Sequence, residues 1–348
     1  MKKLILFGPN SVHVSNYIDL IEGYFDEILV LTDGENKNIT KYKQVVVSFA
    51  IRNPFQNKKT IKEIEKQIID FKPDVIHLHN IGTGAFLLEK ATRNLSIPKI
   101  ATAWGSDVLV APKRSFIFRK ILSNVFANFN YFTSDALFMA YEMQKMSSKN
   151  LDITIANFGV EEVQVDFSKK ENIVYSNRLH NDLYNIDLII DLFCDFLENE
   201  THKDWKLIIA ATGNNTENLK EKASKSKFSN QIEFVGWIDQ AQNQAWYKKA
   251  KIYISIPKSD GTSIGLLEAM ENACIPIVSN LPANNEWITD GYNGLVFQNG
   301  NQKPFEKALN LDFNKIAEIN REIIKMNGLK ATNRAKFISI YDRIKDSK

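Results

Sequence analysis

Short apolar runs recur along this chain at intervals filled by amphipathic helical patterns, and that alternation restricts the fold more than any other feature. In the first half the runs fall at residues 4–7, 28–31, 45–49, 75–78, 100–103, 131–133 and 153–156. Between them lie segments such as 60–70, which places Ile61, Ile64 and Ile68 on one helical face. The second half restarts at 173–175 and continues with runs at 207–211, 232–235, 252–256, 275–278 and 295–297, with helices expected over 184–198, 241–250 and 264–273. Strand and helix in alternation predict parallel, doubly wound sheets of the α/β class, whose ligands bind beyond the carboxyl ends of the strands. At 348 residues the chain exceeds one ordinary core, so two domains are expected.

A charged stretch without helical period, 161–171, marks the expected connection. It separates an N-terminal Rossmann-like domain, 1–160, from a C-terminal one, 172–328, with a helix at 329–348 beyond them. Composition narrows the function classes. A 44% hydrophobic content is that of a folded chain, and a net charge of +3 argues against a nucleic-acid partner. Met1-Lys-Lys imitates the start of a signal peptide, but the apolar run that follows is short and Gly8-Pro9-Asn10 ends it. No apolar run approaches the ~20 residues of a membrane helix, so the expected location is cytoplasmic. Cys194 and Cys274 have no metal-like spacing and are expected to be buried free thiols.

The chemistry concentrates in residues 259–294. Ser259, Asp260 and Gly261 form a polar loop that leads through Thr262 and Ser263, both N-cap types, into an apolar helix from Ile264. Free N–H groups and a partial positive charge at such a helix start make a seat for phosphate. Asp260 stands just before that seat and Glu268 just over a turn inside the helix, so two acids flank a predicted anion site.

Asp260, seven intervening residues, Glu268-Ala-Met, then Pro276-Ile-Val and Glu286 resemble the E-x7-E region of the family 4 retaining glycosyltransferases. Over essentially the whole chain the resemblance implies the GT-B fold, two Rossmann-like domains facing each other across a cleft, with the terminal helix crossing back to the first. It implies transfer of a sugar from a UDP- or GDP-sugar to a hydroxyl of a glycan or lipid-linked glycan, with retention of configuration and without a metal or cofactor. Asp260 would hold donor hydroxyls near the reacting sugar, the N–H groups at Thr262, Ser263 and Ile264 the diphosphate, and Glu268 the ribose. Arg178, after the first strand of the second half, matches a family arginine clamped to the diphosphate. Six residues on, where that family has lysine, stands Tyr184, and Lys258 is a candidate for the missing charge. The backbone at Gly236 and Trp237 would meet the base, and Gly8 would let the first loop approach the donor.

The acceptor is expected at His13, Asn80, Trp104, Ser106 and Asp107. Trp104 takes the place of a family histidine, while Asp107 is read equally as a loop cap and His13 equally as a solvated helix residue. His79 is a lesser candidate and His77 a core residue. The basic and aromatic run Lys113, Arg114, Ser115, Phe116, Ile117, Phe118, Arg119, Lys120, Ile121 and Leu122 has two readings: a peripheral contact with the inner face of an anionic membrane, or, favoured, a domain helix that buries Ile117, Ile121, Val125 and Phe126. Trp104 and Tyr184 also motivate a rival, a catalytically silent nucleotide-sugar binder or partner subunit of a transferase.

Overall fold

The computed structural model describes residues 2–298 and 303–346, so Met1 and residues 347–348 of the expected terminal helix lie outside the described residues. The chain divides into two compact units, Met1–Phe158 with Asn333–Lys348, and Gly159–Thr332.

Unit 1 carries β1 (Lys3–Phe7), β2 (Glu27–Thr32), β3 (Lys43–Val46), β4 (Val75–His79), β5 (Lys99–Thr102), β6 (Tyr131–Ser134) and β7 (Asp152–Ile155). They form one parallel sheet in the order β3-β2-β1-β4-β5-β6-β7, in which Phe7 pairs with Leu31 on one side and Leu78 on the other. The winding reverses between β1 and β4, which opens a crevice at their carboxyl ends. β3 starts two residues before the expected run and ends three before its close. Past Val46 the chain leaves the sheet, and the Phe49 ring stacks on Phe7 with centroids 4.5 Å apart. The helix expected at 60–70 is Pro54–Phe71, begun early by Asn53, whose side chain accepts from the Gln56 N–H, with Pro54 in the first turn.

The helix Lys330–Asp346 lays Phe337, Ile340, Tyr341 and Ile344 into the core formed by Leu4, Leu6, Tyr17 and Val30. The Tyr341 hydroxyl meets His77 Nδ1 at 2.6 Å and the Tyr17 hydroxyl at 2.5 Å, and His77 Nε2 meets Thr102 Oγ1 at 2.7 Å. Burial pushes the His77 pKa down to about 3, so a neutral imidazole serves as a core hydrogen-bonding group.

Unit 2 carries β8 (Glu171–Ser176), β9 (Lys206–Ala210), β10 (Ile232–Gly236), β11 (Ala250–Ser255), β12 (Ile275–Ser279) and β13 (Leu295–Phe297), parallel in the order β10-β9-β8-β11-β12-β13. Successive residues point to opposite faces. Val174 therefore joins one core with Leu207, Ile209 and Ile252, and Ile173 and Tyr175 join another with Ile208 and Tyr253. The stretch 161–171 is held on this unit: the Val163 N–H donates to Glu271 Oε1 at 3.0 Å, and the buried Lys170 ammonium donates to the carbonyls of Tyr247 (2.8 Å) and Ala250 (2.7 Å). That ammonium sits on the last carbonyls of the helix Gln240–Lys249, where a cation is favourable. The contact boundary between the units falls at Phe158 and Gly159, ahead of that stretch.

Both cysteines are free; Cys274 is buried, whereas Cys194 is only half-buried. Among the described residues no helix is long and apolar enough to cross a membrane.

Candidate active site

In unit 2 the winding reverses between β8 and β11, and the residues expected to hold the donor gather at that point. Arg178, two residues beyond β8, donates from Nη2 to Asp260 Oδ2 at 2.7 Å and from Nη1 to the Ser263 hydroxyl. Its guanidinium carbon lies 4.4 Å from the centroid of the Tyr184 ring. Tyr184 thus supplies a stacking surface for the arginine in place of a second cation. Burial raises the pKa of Asp260, and the neighbouring Arg178 charge offsets part of that rise. Lys258 is exposed and makes no ion pair among the described residues; its backbone N–H is fixed on the Leu183 carbonyl at 2.8 Å.

The helix Ile264–Glu271 starts at Ser263 without a side-chain cap, because the Ser263 hydroxyl is engaged by Arg178. Its first turn therefore presents uncapped N–H groups beside a guanidinium, a favourable setting for an anion. Thr262 is buried behind it, with its Oγ1 accepting from Trp287 Nε1 at 3.3 Å. The helix start approaches closely because Gly265 has no side chain: a Cβ there would stand 2.7 Å from the Tyr253 hydroxyl, 3.1 Å from that of Tyr247 and 3.2 Å from Asn177 Oδ1.

Those oxygens belong to a network that the sequence reading missed. The Tyr175 hydroxyl donates to Asn243 Oδ1 at 2.6 Å, Asn177 Nδ2 donates to the Tyr247 oxygen at 2.8 Å, and the Tyr247 hydroxyl donates to the Gly265 carbonyl at 3.0 Å. The network ends on Glu268, which is buried. Its Oε1 accepts from Gln240 (2.6 Å) and Gln244 (3.1 Å), and its Oε2 accepts from Asn243 (3.3 Å). Burial raises the Glu268 pKa, and the hydrogen bonds from Gln240, Tyr247, Gln244 and Asn243 pull it partly back. Gln240, Asn243, Gln244 and Tyr247 are spaced three and four apart, a polar stripe on one helical face that was available as a signal. At the end of β10, Gly236 turns with φ +70° and leaves Trp237 73% exposed, so Trp237 is not a core packing residue.

In unit 1 the expected acceptor residues lie around two features. Gly8 is buried, and a Cβ on it would come within 2.8 Å of Val14 Cγ2 and 3.1 Å of His79 Cβ. Packing against its own unit therefore accounts for this glycine without any donor phosphate. His13 stands on the helix Val12–Leu20 with its ring near Trp104 (4.9 Å between centroids) and Phe158 (5.6 Å), at the edge of an aromatic cluster and still exposed to solvent. His79 is buried in that cluster with both ring nitrogens unpartnered, and burial holds it neutral.

The second feature is a cavity of about 510 Å³ at the carboxyl ends of β1, β4 and β5, which Asn80, Ser106 and Asp107 line but His13 and Trp104 do not. Asp107 is buried and accepts from the backbone N–H groups of Ile81 (2.8 Å) and Trp104 (3.0 Å), so it ties two loops together. Burial raises its pKa, against the pull of those N–H groups. The helix Phe116–Asn128 buries Ile121, Leu122, Val125 and Phe126 but leaves Ile117 63% exposed and Phe116 75% exposed, which corrects the expectation that Ile117 is a core residue. Among the described residues no group of three or more His, Cys, Asp or Glu side chains is placed to hold a metal.

Two parallel-sheet α/β domains, each with its winding reversed at one switch point, define the GT-B class, and the comparisons agree. Residues 160–325 match the family model of group 1 glycosyl transferases, and residues 3–136 match that of the glycosyl transferase 4-like group. Between them the two glycosyl transferase models match most of the chain, each one of its halves.

Among proteins of similar sequence, an alpha-monoglucosyldiacylglycerol synthase of Streptococcus pneumoniae is 24% identical over 157 residues, 45% of this chain and 34% of that protein. An uncharacterised glycosyltransferase of Methanocaldococcus jannaschii is 26% identical over 174 residues, 50% of this chain and 42% of that protein. The matches thus span well under half the length of these curated relatives. Among solved structures, Anabaena HepE in complex with UDP superposes with a TM-score of 0.82 at 12% identity, covering 99% of this chain and 100% of that one. The lipopolysaccharide outer core galactosyltransferase WaaB superposes with a TM-score of 0.72 at 14% identity, covering 98% and 99%.

Proposed function

We propose that this protein is a retaining, metal-independent glycosyltransferase that takes a sugar from a nucleoside-diphosphate donor, UDP-linked in preference to GDP-linked, and places it on a hydroxyl of a glycan or lipid-linked acceptor. The observation that carries this reading is Arg178, which bonds Asp260 and Ser263 at the uncapped start of the helix Ile264–Glu271. Negative charge grows on the diphosphate as the glycosidic bond breaks. A guanidinium and oriented N–H groups stabilise that charge more than they stabilise the ground state, which is how such a site accelerates departure. Two fixed positive elements at the leaving group fill the place a divalent ion would otherwise take. Asp260 then lies beside the sugar as it gains positive character, and Glu268 exchanges an amide partner for the ribose hydroxyls. Same-face attack by the acceptor gives retention, since no second carboxylate is assigned beneath the anomeric carbon. The preference for UDP rests on Anabaena HepE, which carries UDP and UDP-glucose in its complexes.

Phe116 and Ile117, exposed among Lys113, Arg114, Arg119 and Lys120, suit a peripheral contact with an anionic membrane surface. Calorimetric titration with UDP and GDP, a donor-hydrolysis assay over a panel of UDP- and GDP-sugars with and without EDTA, and NMR assignment of the product anomer test the reading. Binding of UDP with no turnover of any donor would leave a silent binder instead, and an inverted product would overturn the stereochemistry.

A further inference from the structure

Arg178 and Tyr184 stand on the loop that links β8 to the helix Ile186–Phe196. A guanidinium on a loop binds an anion well only if the backbone beneath it is already held in place, because ordering the loop on binding costs affinity. The side chain that holds this one is His180, two positions beyond Arg178 and 0% exposed. Its ring crosses to the neighbouring loop, 211–216, which follows β9. Nε2 lies 3.1 Å from the Ala210 carbonyl, and Nδ1 lies 2.9 Å from Thr216 Oγ1 at the start of the helix Thr216–Ser224. A carbonyl only accepts, so Nε2 carries the proton and Nδ1 is left to accept from the Thr216 hydroxyl. Burial lowers the His180 pKa, in keeping with a neutral ring. The ring edge also meets Phe234 of β10, with 5.9 Å between centroids.

The two backbones are joined at the same place. The His180 N–H donates to the Thr212 carbonyl at 3.3 Å, and the His180 carbonyl accepts from the Asn215 N–H at 2.9 Å. The Asn215 side chain adds a bond to Asp182 at 2.6 Å. The approach demands glycine on the facing loop: a Cβ on Gly213 would stand 2.8 Å from the His180 carbonyl carbon and 2.9 Å from its nitrogen. Loop 211–216 is itself fixed on its far side, where the Ala211 N–H donates to the Gly236 carbonyl at 2.8 Å. The facing loop is therefore the anchor, and the segment it steadies is the one that carries the arginine.

We propose that His180 is a positioning residue for the diphosphate clamp, fixing the backbone from which Arg178 reaches Asp260 and Ser263. The inference rests on the donor reading of unit 2 and adds to it the residue that sets where the guanidinium stands. The test is calorimetric titration of the full chain with UDP and with UMP, which differ by one phosphate.

His180→Leu removes both ring hydrogen bonds and frees the loop, so UDP affinity should fall by about tenfold while UMP affinity changes by less than about twofold. His180→Gln, whose amide reaches toward the Ala210 carbonyl, should recover most of that loss, whereas a role in packing alone would favour leucine over glutamine. In an Arg178→Ala background His180→Leu should cost UDP affinity little more, because the group it positions is gone. Thr216→Val, which takes away the Nδ1 partner, replaces His180→Leu should that variant fail to fold by circular dichroism, and the same loss of UDP over UMP is expected. A folded variant that keeps the wild-type preference for UDP over UMP, or losses that add in the double variant, would overturn the proposal. Hydrogen exchange at the amides of 177–185 without nucleotide keeps the two readings apart: a wild-type protein that binds neither UDP nor GDP refutes the donor reading, and unchanged exchange in His180→Leu refutes the anchor.

Discussion

Gly265→Ala puts a single methyl group where three oxygens already stand, at 2.7 Å from the Tyr253 hydroxyl, 3.1 Å from the Tyr247 hydroxyl and 3.2 Å from Asn177 Oδ1. A Cβ contact of 2.7 Å cannot persist, so either Tyr253 yields or the helix start backs away. If Tyr253 yields, its 3.2 Å hydrogen bond to Asn177 breaks, and if the helix moves, the 3.0 Å bond from Tyr247 to the Gly265 carbonyl breaks. One lost hydrogen bond is worth about 0.5–1.5 kcal/mol, and overpacking adds roughly 1–3 kcal/mol. The helix preference of alanine over glycine returns at most ~1 kcal/mol. The expected net loss is therefore about 1–3 kcal/mol, which for a unit of this size lowers the melting temperature by roughly 2–10 °C.

The helix N–H groups shift with the backbone, so UDP affinity should fall with stability. The assay is thermal and urea unfolding together with UDP calorimetry. The double variant Gly265→Ala/Tyr253→Phe removes the nearest oxygen and should recover part of both losses, the coupling expected of touching residues. A Gly265→Ala protein with wild-type stability and wild-type UDP affinity would refute the close-approach argument.

Three further outcomes follow from the same geometry. Glu268 has its pKa raised by burial, so the fold favours its protonated form; the stability it contributes is complete below the ordinary 4.5 and is lost as pH rises through the raised value. The stability difference between wild type and Glu268→Gln should accordingly shrink from pH 4.5 toward neutrality in urea unfolding, and a constant or growing difference contradicts it. Tyr184→Leu removes the ring from Arg178 and should weaken UDP binding by about 0.5–2 kcal/mol, while Tyr184→Phe keeps most of it; calorimetry that ranks them the other way would remove the stacking role. Tyr341→Phe deletes the hydroxyl shared by His77 and Tyr17 and should destabilise unit 1 by about 1–3 kcal/mol in urea unfolding, with no change in UDP affinity.

The alternation of runs and helices was legible because parallel strands buried on both faces are written as short apolar blocks, and β1, β4, β6 and β13 lie within a residue of their expected limits. Arg178 and the loop carrying Asp260 and Ser263 were expected to serve one diphosphate, and the structure puts Arg178 in direct contact with both. Their mutual contacts were not legible, since they depend on loops 82 and 85 residues apart meeting at one switch point. Tyr184 read as a missing cation because sequence gives a residue type and not the guanidinium above it. Gly8 invited a ligand explanation, yet its neighbours Val14 and His79 come from elements whose packing no local pattern records. Ile117 failed for a simpler reason. It fits the helical period of its buried neighbours, but it stands in the first turn, where the helix has run out of domain to cover it.

The bonds from Tyr341 to His77 and Tyr17 also fix an order of events during synthesis. Unit 2 is one continuous stretch, Gly159–Thr332, and all of it leaves the ribosome before Tyr341 does. Unit 1 is begun before unit 2 and completed after it, because the residues that seal its core, Phe337 to Ile344, follow Thr332 in the chain. For the time it takes to translate nearly two hundred residues, at roughly 5–20 per second, the earlier-born sheet must wait with Leu4, Leu6 and Tyr17 uncovered. During that interval of some tens of seconds the nascent chain exposes a sticky apolar surface, so chaperone dependence and aggregation on rapid overexpression should track truncations at residue 333 far more than truncations within the second sheet.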